Sequence, residues 1–289
     1  PPRRACAEWR AHLGKVAGAP KVKTDEVRLS GFKVTNPEVM KTFIETKPGD
    51  TFDPVKVDAD TTNLVARRDF TSVNYQLTRE AERNVLTFNA TEKPWGPDYL
   101  LFDVNLNTDL KGDTAFGIRL DYEKRWLNSL GGEWRTSAQI GRPNILTSEF
   151  YQPLDRHQRF FVAPSVYASQ TLEYYYIGDT TVAQFDVRRY GVKLDGGIAM
   201  GSWGEFRLGL QRGGLDATTK VANPAIPEPN FNSTGGITTR FIYDQLDKRL
   251  FPTKGNFLQI NGYSSQGGLG ADSTYHTVGI NASTIHSWG

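Results

Sequence analysis

Apolar and polar positions along this chain follow two different rules, and the change falls at Glu92-Lys93-Pro94-Trp95-Gly96-Pro97. Before it, helical and strand-like spacings are mixed. After it, apolar residues recur at every second position, the repeat of a sheet with two unlike faces. In the first part, residues 25–32 form a short strand with apolar positions at Val27 and Leu29. Asn36-Pro37 then supplies an N-cap with proline at the first helical position. Val39, Met40, Phe43 and Ile44 share one face, predicting a helix over residues 37–47 that Pro48-Gly49-Asp50 ends. Asp53-Pro54 repeats the start signal, and Val57, Leu64 and Val65 predict a second helix as far as Arg67 or Arg68. Two strands follow: residues 72–78, where Val73, Tyr75 and Leu77 alternate, and residues 84–92. The expected unit is an α+β domain of order βααββ over residues 25–93, preceded by a linker over residues 1–24 that is partly helical or disordered.

From residue 94 onward the pattern predicts an all-β antiparallel structure. Leu100, Phe102, Val104 and Leu106 oppose Asp103, Asn105 and Asn107, while Phe116, Ile118, Leu120 and Tyr122 oppose Arg119, Asp121 and Glu123. The same alternation runs through residues 133–141, 190–200 and 205–211, with weaker strands between. A water-soluble sandwich also tolerates polar residues on one face. The clear segments, however, run about 9–11 residues, the length a tilted strand needs to cross a bilayer, and globular strands average about 5–6. A short turn at residues 201–204 and a longer polar loop at residues 216–230 suit a membrane barrel with short turns on one side and long loops on the other. Trp126, Tyr174, Tyr175, Tyr176, Trp203 and Trp288 are candidates for interfacial girdles. Each alone has ordinary strand packing as its simpler explanation.

Composition narrows the function classes. With 34 basic against 32 acidic residues there is no electrostatic pull toward nucleic acid. Cys6 is the lone cysteine, which excludes an internal disulfide framework and a many-thiolate zinc site. No apolar run reaches the roughly 18 residues of a membrane helix, and a mean hydropathy of -0.48 resembles that of a soluble protein. Neither observation bears against a barrel, whose strands are only half apolar. Pro1-Pro2-Arg3-Arg4 lacks the apolar core of a secretory signal, so an exported chain is expected to begin upstream.

The first unit, with Gly31-Phe32 after its first strand, Lys47-Pro48-Gly49-Asp50 between its helices and Asp69-Phe70-Thr71-Ser72-Val73 entering the second strand, resembles a POTRA domain. That resemblance implies a periplasmic position ahead of an outer-membrane barrel. Val73, Tyr75 and Leu77 would then mark an edge strand able to accept an extended segment by β-augmentation; the plainer alternative is a spacer. Further on, Asp244, Phe251-Pro252 and Gly255 punctuate a strand-turn-strand unit over residues 240–255. They resemble the barrel signature of the bacterial surface antigen superfamily.

Within that superfamily the chain is similar to type Vd autotransporters, in which a patatin-like lipase precedes one POTRA and a barrel. The residues concerned are Glu92-Lys93-Pro94-Trp95-Gly96-Pro97-Asp98-Tyr99-Leu100, Leu127-Asn128 with Gly131-Gly132-Glu133-Trp134-Arg135, and Glu149-Phe150-Tyr151-Gln152-Pro153-Leu154. Two departures stand out. No nucleophile-elbow Gly-x-Ser-x-Gly is present, and about ten strand candidates fall short of the roughly sixteen of such barrels. The chain is therefore expected to be a fragment holding an incomplete barrel and lacking both the passenger and the family's Arg-Gly-Phe or Arg-Gly-Tyr lumen loop.

Arg119, Asp121, Arg135, Lys193, Asp195 and Arg207 lie on the polar set and would line a wet lumen; a solvated sheet face of mixed charge is the alternative. Asp195-Gly196-Gly197 looks like the aspartate motif of a patatin dyad, but without a serine elbow it has no nucleophile to activate. His12, His157, His276 and His286 have no ligand spacing. No catalytic residue, cofactor or metal is expected. The resemblance implies as partners outer-membrane lipid, the chain's own passenger or an unfolded outer-membrane or secreted polypeptide, periplasmic chaperones and the barrel-assembly machinery. Two rival functions stay open: a two-partner-secretion or barrel-assembly translocator, and a soluble all-β carbohydrate-binding protein.

Overall fold

The computed structural model describes residues 22–67, 69–96, 98–108, 114–178, 180–201, 203–222, 232–247 and 252–287. Most of the expected linker, Phe251 of the strand-turn-strand motif, and Trp288 lie outside them. The chain divides into two compact units, each treated by itself.

Up to residue 92 the chain forms β1 (Glu26–Ser30), α1 (Pro37–Met40) continued by a 3-10 turn (Lys41–Phe43), α2 (Pro54–Ala66), β2 (Phe70–Glu80) and β3 (Arg83–Glu92). The sheet here has the order β1-β3-β2, with β1 parallel and β2 antiparallel to β3, so β2 occupies one edge. α2 starts as the sequence dictates: Asp53 caps it by accepting from Val55 N at 3.0 Å, and Pro54 fills a position whose N–H would have no partner. Met40, Val57, Leu64, Leu86 and Phe88 are fully buried and form the core.

The first helix is shorter than the 37–47 its periodicity predicts. The Asp60 carboxylate, itself buried, accepts from Glu45 N (2.7 Å), Thr46 N (3.0 Å) and Thr46 Oγ1 (2.6 Å). These two amides are thereby taken away from helical pairing, and Ile44 is already extended at φ -101° and ψ 121°. A contact from a different element overrides the local pattern.

The second unit is one ten-stranded antiparallel sheet in sequence order. It comprises β4 (Asp98–Thr108), β5 (Thr114–Lys124), β6 (Glu133–Gly141), β7 (Asn144–Pro153), β8 (Phe160–Ile177), β9 (Thr180–Ala199), β10 (Gly204–Ala222), β11 (Asn232–Asp244), β12 (Lys254–Ser265) and β13 (His276–His286). β4 and β13 are not paired with each other, so the sheet is open, an incomplete barrel.

Register keeps the two faces distinct across the sheet. Val104 pairs with Ile118 and Ile118 with Ile140, while Phe206 pairs with both Ile198 and Phe241 and Ile260 with Ile280. This apolar face is turned outward: Leu106 is 74 % exposed and Val278 73 %. The row Tyr122, Thr136, Ser148, Val166, Val192, Arg212 runs from near the end of β5 to the middle of β10. Such a stagger is what strands tilted against a common apolar belt produce.

Lengths of 9 to 11 residues hold for β4 to β7, but β8, β9 and β10 run 18, 20 and 19. Residues 216–222, expected in a loop, instead pair with β9 through a bulge, and the rest of the expected loop lies outside the described residues. Pairing between β7 and β8 ends at Asn144 and Gln170. Residues 171–177, including the three tyrosines expected in a girdle, stand beyond the short β6–β7 hairpin.

Candidate functional site: the charged face of the sheet

Period-two patterning sends the polar residues of β5 to β11 to one face, where they line a cavity of about 560 Å³. All six residues singled out from the sequence, Arg119, Asp121, Arg135, Lys193, Asp195 and Arg207, border it. What brings them together is a network centred on Arg207, whose side chain is 3 % exposed. Its Nη1 donates to Glu149 Oε2 at 2.6 Å, its Nε donates to Glu205 Oε1 at 2.7 Å, and Asp195 Oδ2 lies 3.8 Å away.

From there the pairs run outward in both directions. Glu149 also accepts from Arg135 Nη1 (3.4 Å), and Arg135 Nε donates to Glu133 Oε2 (3.0 Å). Arg125 Nε donates to Glu133 Oε1 at 2.9 Å. On the other side Lys193 Nζ meets Asp195 (3.0 Å) and Arg240 meets Glu205 (3.5 Å). Arg119 pairs separately with Asp121 at 3.0 Å.

The Arg207–Glu149 bond spans β10 to β7 with β8 and β9 between them. Three inter-strand steps cover roughly 14 Å along a flat sheet, too far for a bond at 2.6 Å unless the sheet curls. Curling is helped by a flat floor: Gly197 on β9 leaves the place where a Cβ would strike the Phe161 ring from β8. Phe161 is buried and stacks on Tyr151 with centroids 4.5 Å apart. Arg207 then lies 5.0 Å over Phe161, and Arg135 4.6 Å over Tyr151. Buried ions paired and stacked in this way are compensated rather than exposed to a low dielectric alone.

Asp195, the lookalike of a dyad aspartate, is committed to Lys193, Arg207 and Thr238 Oγ1 (3.4 Å). Its role in this geometry is a structural counter-ion. In the sequence Glu149 and Tyr151 stand out only within a family motif, and nothing there marks Phe161. The available signal was their place in register on β7 and β8, but alternation says nothing about which charges meet.

In the strand-turn-strand motif, Asp244 Oδ1 accepts from Leu246 N at 3.0 Å. Gly255 adopts φ +122°, and an added Cβ there would collide with the Gln245 carbonyl oxygen. Pro252 is half-buried. Asp247, not anticipated, closes the turn by accepting from Thr253 N (2.8 Å) and Lys254 N (3.1 Å). In the first unit Val73 is buried while Tyr75 and Leu77 are half-buried. Tyr75 faces Phe52, with centroids 6.2 Å apart.

An open antiparallel sheet, apolar outside, charged and curled inside, preceded by a βααββ unit, defines the class of outer-membrane barrel proteins with periplasmic domains. Comparison with known proteins makes this specific. Residues 98–289 match the profile of the Omp85 superfamily domain, and residues 22–93 that of the POTRA unit described as a surface antigen variable number repeat. The chain belongs to the Omp85 superfamily, and is an outer-membrane protein with its POTRA segment in the periplasm.

Among solved structures, it is similar to a BamA from Haemophilus ducreyi lacking POTRA domains 1–3, at 13 % identity and a TM-score of 0.63, covering 91 % of this chain and 51 % of that one. CdiB from Acinetobacter baumannii aligns at 11 % identity and a TM-score of 0.47, over 90 % of this chain and 48 % of that one. CdiB from Escherichia coli aligns at 11 % identity and 0.47, over 91 % and 50 %. The chain thus spans about half the length of the BamA structure it matches. No curated protein matches it in sequence. Membership in an outer-membrane family sets aside the soluble carbohydrate-binding alternative.

Proposed function

We propose that this chain supplies the POTRA and the first strands of a translocator that moves a polypeptide through a wet barrel lumen. The further part of this reading is a type Vd arrangement, in which the polypeptide is the protein's own patatin-like lipase, encoded upstream and tethered after export. The observation that supports translocation is the clamp from Arg207 to Glu149, which curls the sheet around charged, balanced side chains while leaving a cavity beside them. Arg119, Asp121, Arg135, Lys193, Asp195 and Arg207 are the lumen lining in this reading. β2, with Val73, Tyr75 and Leu77 turned to its core, offers its outer edge to an extended client segment. The residues shared with type Vd proteins at 92–100, 127–135 and 149–154 support the choice of passenger.

The test uses the full-length gene in a Gram-negative host, with an epitope placed upstream of residue 22. Proteolysis of intact cells is expected to remove the epitope, and deletion of residues 22–93 to leave it protected inside. An epitope protected in intact wild-type cells would sink the translocator reading. Ester hydrolysis on the cell surface that disappears with the shaved segment supports the lipase passenger; surface exposure without any ester hydrolysis refutes the passenger alone.

A further inference from the structure

We propose that the outward face of β7 to β10 holds one phosphorylated glycolipid of the outer leaflet, with an acyl chain in a groove and the head group in a cavity above it. The groove has a volume of about 820 Å³ and is lined on the apolar face by Trp134, Phe150, Pro164, Val166, Leu194 and Leu210. That volume is in the range of true ligand pockets, roughly 300–1,000 Å³. Lipid that merely coats a barrel needs no such depression.

The polar atoms on its floor bond to one another. Trp134 Nε1 donates to Thr136 Oγ1 at 3.1 Å and to Ser148 Oγ at 3.0 Å, and the two hydroxyl oxygens are 2.9 Å apart. One end is closed by Leu269 and Arg212, whose Nη1 donates to the Leu269 carbonyl at 2.6 Å. The loop after β12 has therefore folded onto the outer face, where Gly235 leaves room for the Leu269 carbonyl.

The order of chemistry along the strands fixes the ligand's direction. β4 leaves the periplasmic POTRA, so β4, β6 and β8 ascend, and β8 passes from Pro164 and Val166 in the groove to Gln170 and Tyr174 about 13 Å and more further out. A second cavity of about 440 Å³ opens there, lined by Arg142, Asn144, Gln170, Tyr174 and Asp186. It sits in the notch left where the short β6–β7 hairpin stops and β8 continues. Carboxamides, a carboxylate and an aromatic face suit sugar hydroxyls, and Arg142 suits phosphate. Asp186 does not repel an anion unaided, since Gln170 Nε2 donates to it at 2.9 and 2.7 Å and Lys220 stands 3.6 Å away. An apolar groove, with Arg142 and sugar-type polar groups in the cavity beyond it, forms the sequence of an anionic glycolipid.

The experiment reconstitutes the full-length protein in nanodiscs containing equal amounts of lipid A and phosphatidylglycerol, followed by native mass spectrometry. One retained lipid A per protein is expected in preference to phosphatidylglycerol. Val192→Trp, which fills the groove, and Arg142→Ala should each lower retention by about fivefold or more, and Arg142→Lys should restore part of it. Heat-modifiable migration on gels establishes that each variant is folded, and Asn144→Leu at the rim serves if one is not. Equal retention of the two lipids would overturn the choice of glycolipid. Undiminished lipid A on folded Val192→Trp would overturn the site. Both outcomes are independent of whether the barrel exports a passenger.

Discussion

The two units of this chain are built inside out with respect to each other. The POTRA buries Met40, Leu64, Leu86 and Phe88 and keeps most of its charges outside, with Arg28 bridging Glu26 and Glu80 at the surface and Asp60 a buried exception held by backbone amides. The barrel sheet turns Leu100, Phe102, Leu106 and Val278 outward and buries Asp195, Arg207, Arg125 and Glu133. One hydrophobic effect produces both results, because only the solvent beyond the apolar face differs. In water the apolar set must meet itself. Against hydrocarbon it need not, and the interior is left to charges that neutralise one another.

The sharpest way to break this contrast is to remove one phenylalanine from each unit. Phe88→Ala should cost the POTRA about 3–5 kcal/mol by emptying a packed core, read as faster hydrogen exchange across residues 83–92. Phe102→Ala, at a side chain 65 % exposed on the outer face, should change barrel stability far less. Equal losses would mean that the outer face packs against protein. Within the barrel, Leu208→Arg should cost about 2–4 kcal/mol near the bilayer midplane. Ser137→Arg, directly opposite Asp121 on the polar face, should stay within about 1 kcal/mol. Urea unfolding in lipid vesicles, followed by gel mobility, measures both.

The smallest effect belongs to a surface pair on the POTRA. A hydrogen bond from Lys56 (2.8 Å), and then one from the Lys47 backbone amide, holds the Asp50 carboxyl below its ordinary range. A lowered folded value stabilises above the unfolded pKa and is lost as pH falls through the folded one. The advantage of wild type over Lys56→Met in urea midpoint should thus be present at neutral pH and vanish in acid. A gap that widens in acid would contradict the assignment.

The two regions also differed in how legible they were. Period two alone located β4, β5 and β6, since each residue's face follows from its parity. The POTRA strands and α2 could be read for a similar reason, Asp53-Pro54 and the alternation at Val73, Tyr75 and Leu77 being local signals. What escaped depended on residues distant in sequence. Asp60 shortened α1 from an element further on, and β10 continued past residue 216 because β9 supplied partners there. The six charged residues could be assigned to a face, but not to pairs. Glu149 and Arg207 are 58 positions apart, and their meeting depends on a curvature that no local pattern encodes.

That same bond bears on how the barrel is assembled. A flat ten-stranded sheet would have to bend and close in one late step, with the whole conformational cost falling on the last strands. Tied from β7 to β10, the middle of the sheet keeps an arc while its edges are unpaired. The curl is thus held by a polar clasp inside the sheet and does not depend on the pairing of β4 and β13, so the cost of bending is separate from the cost of joining edges.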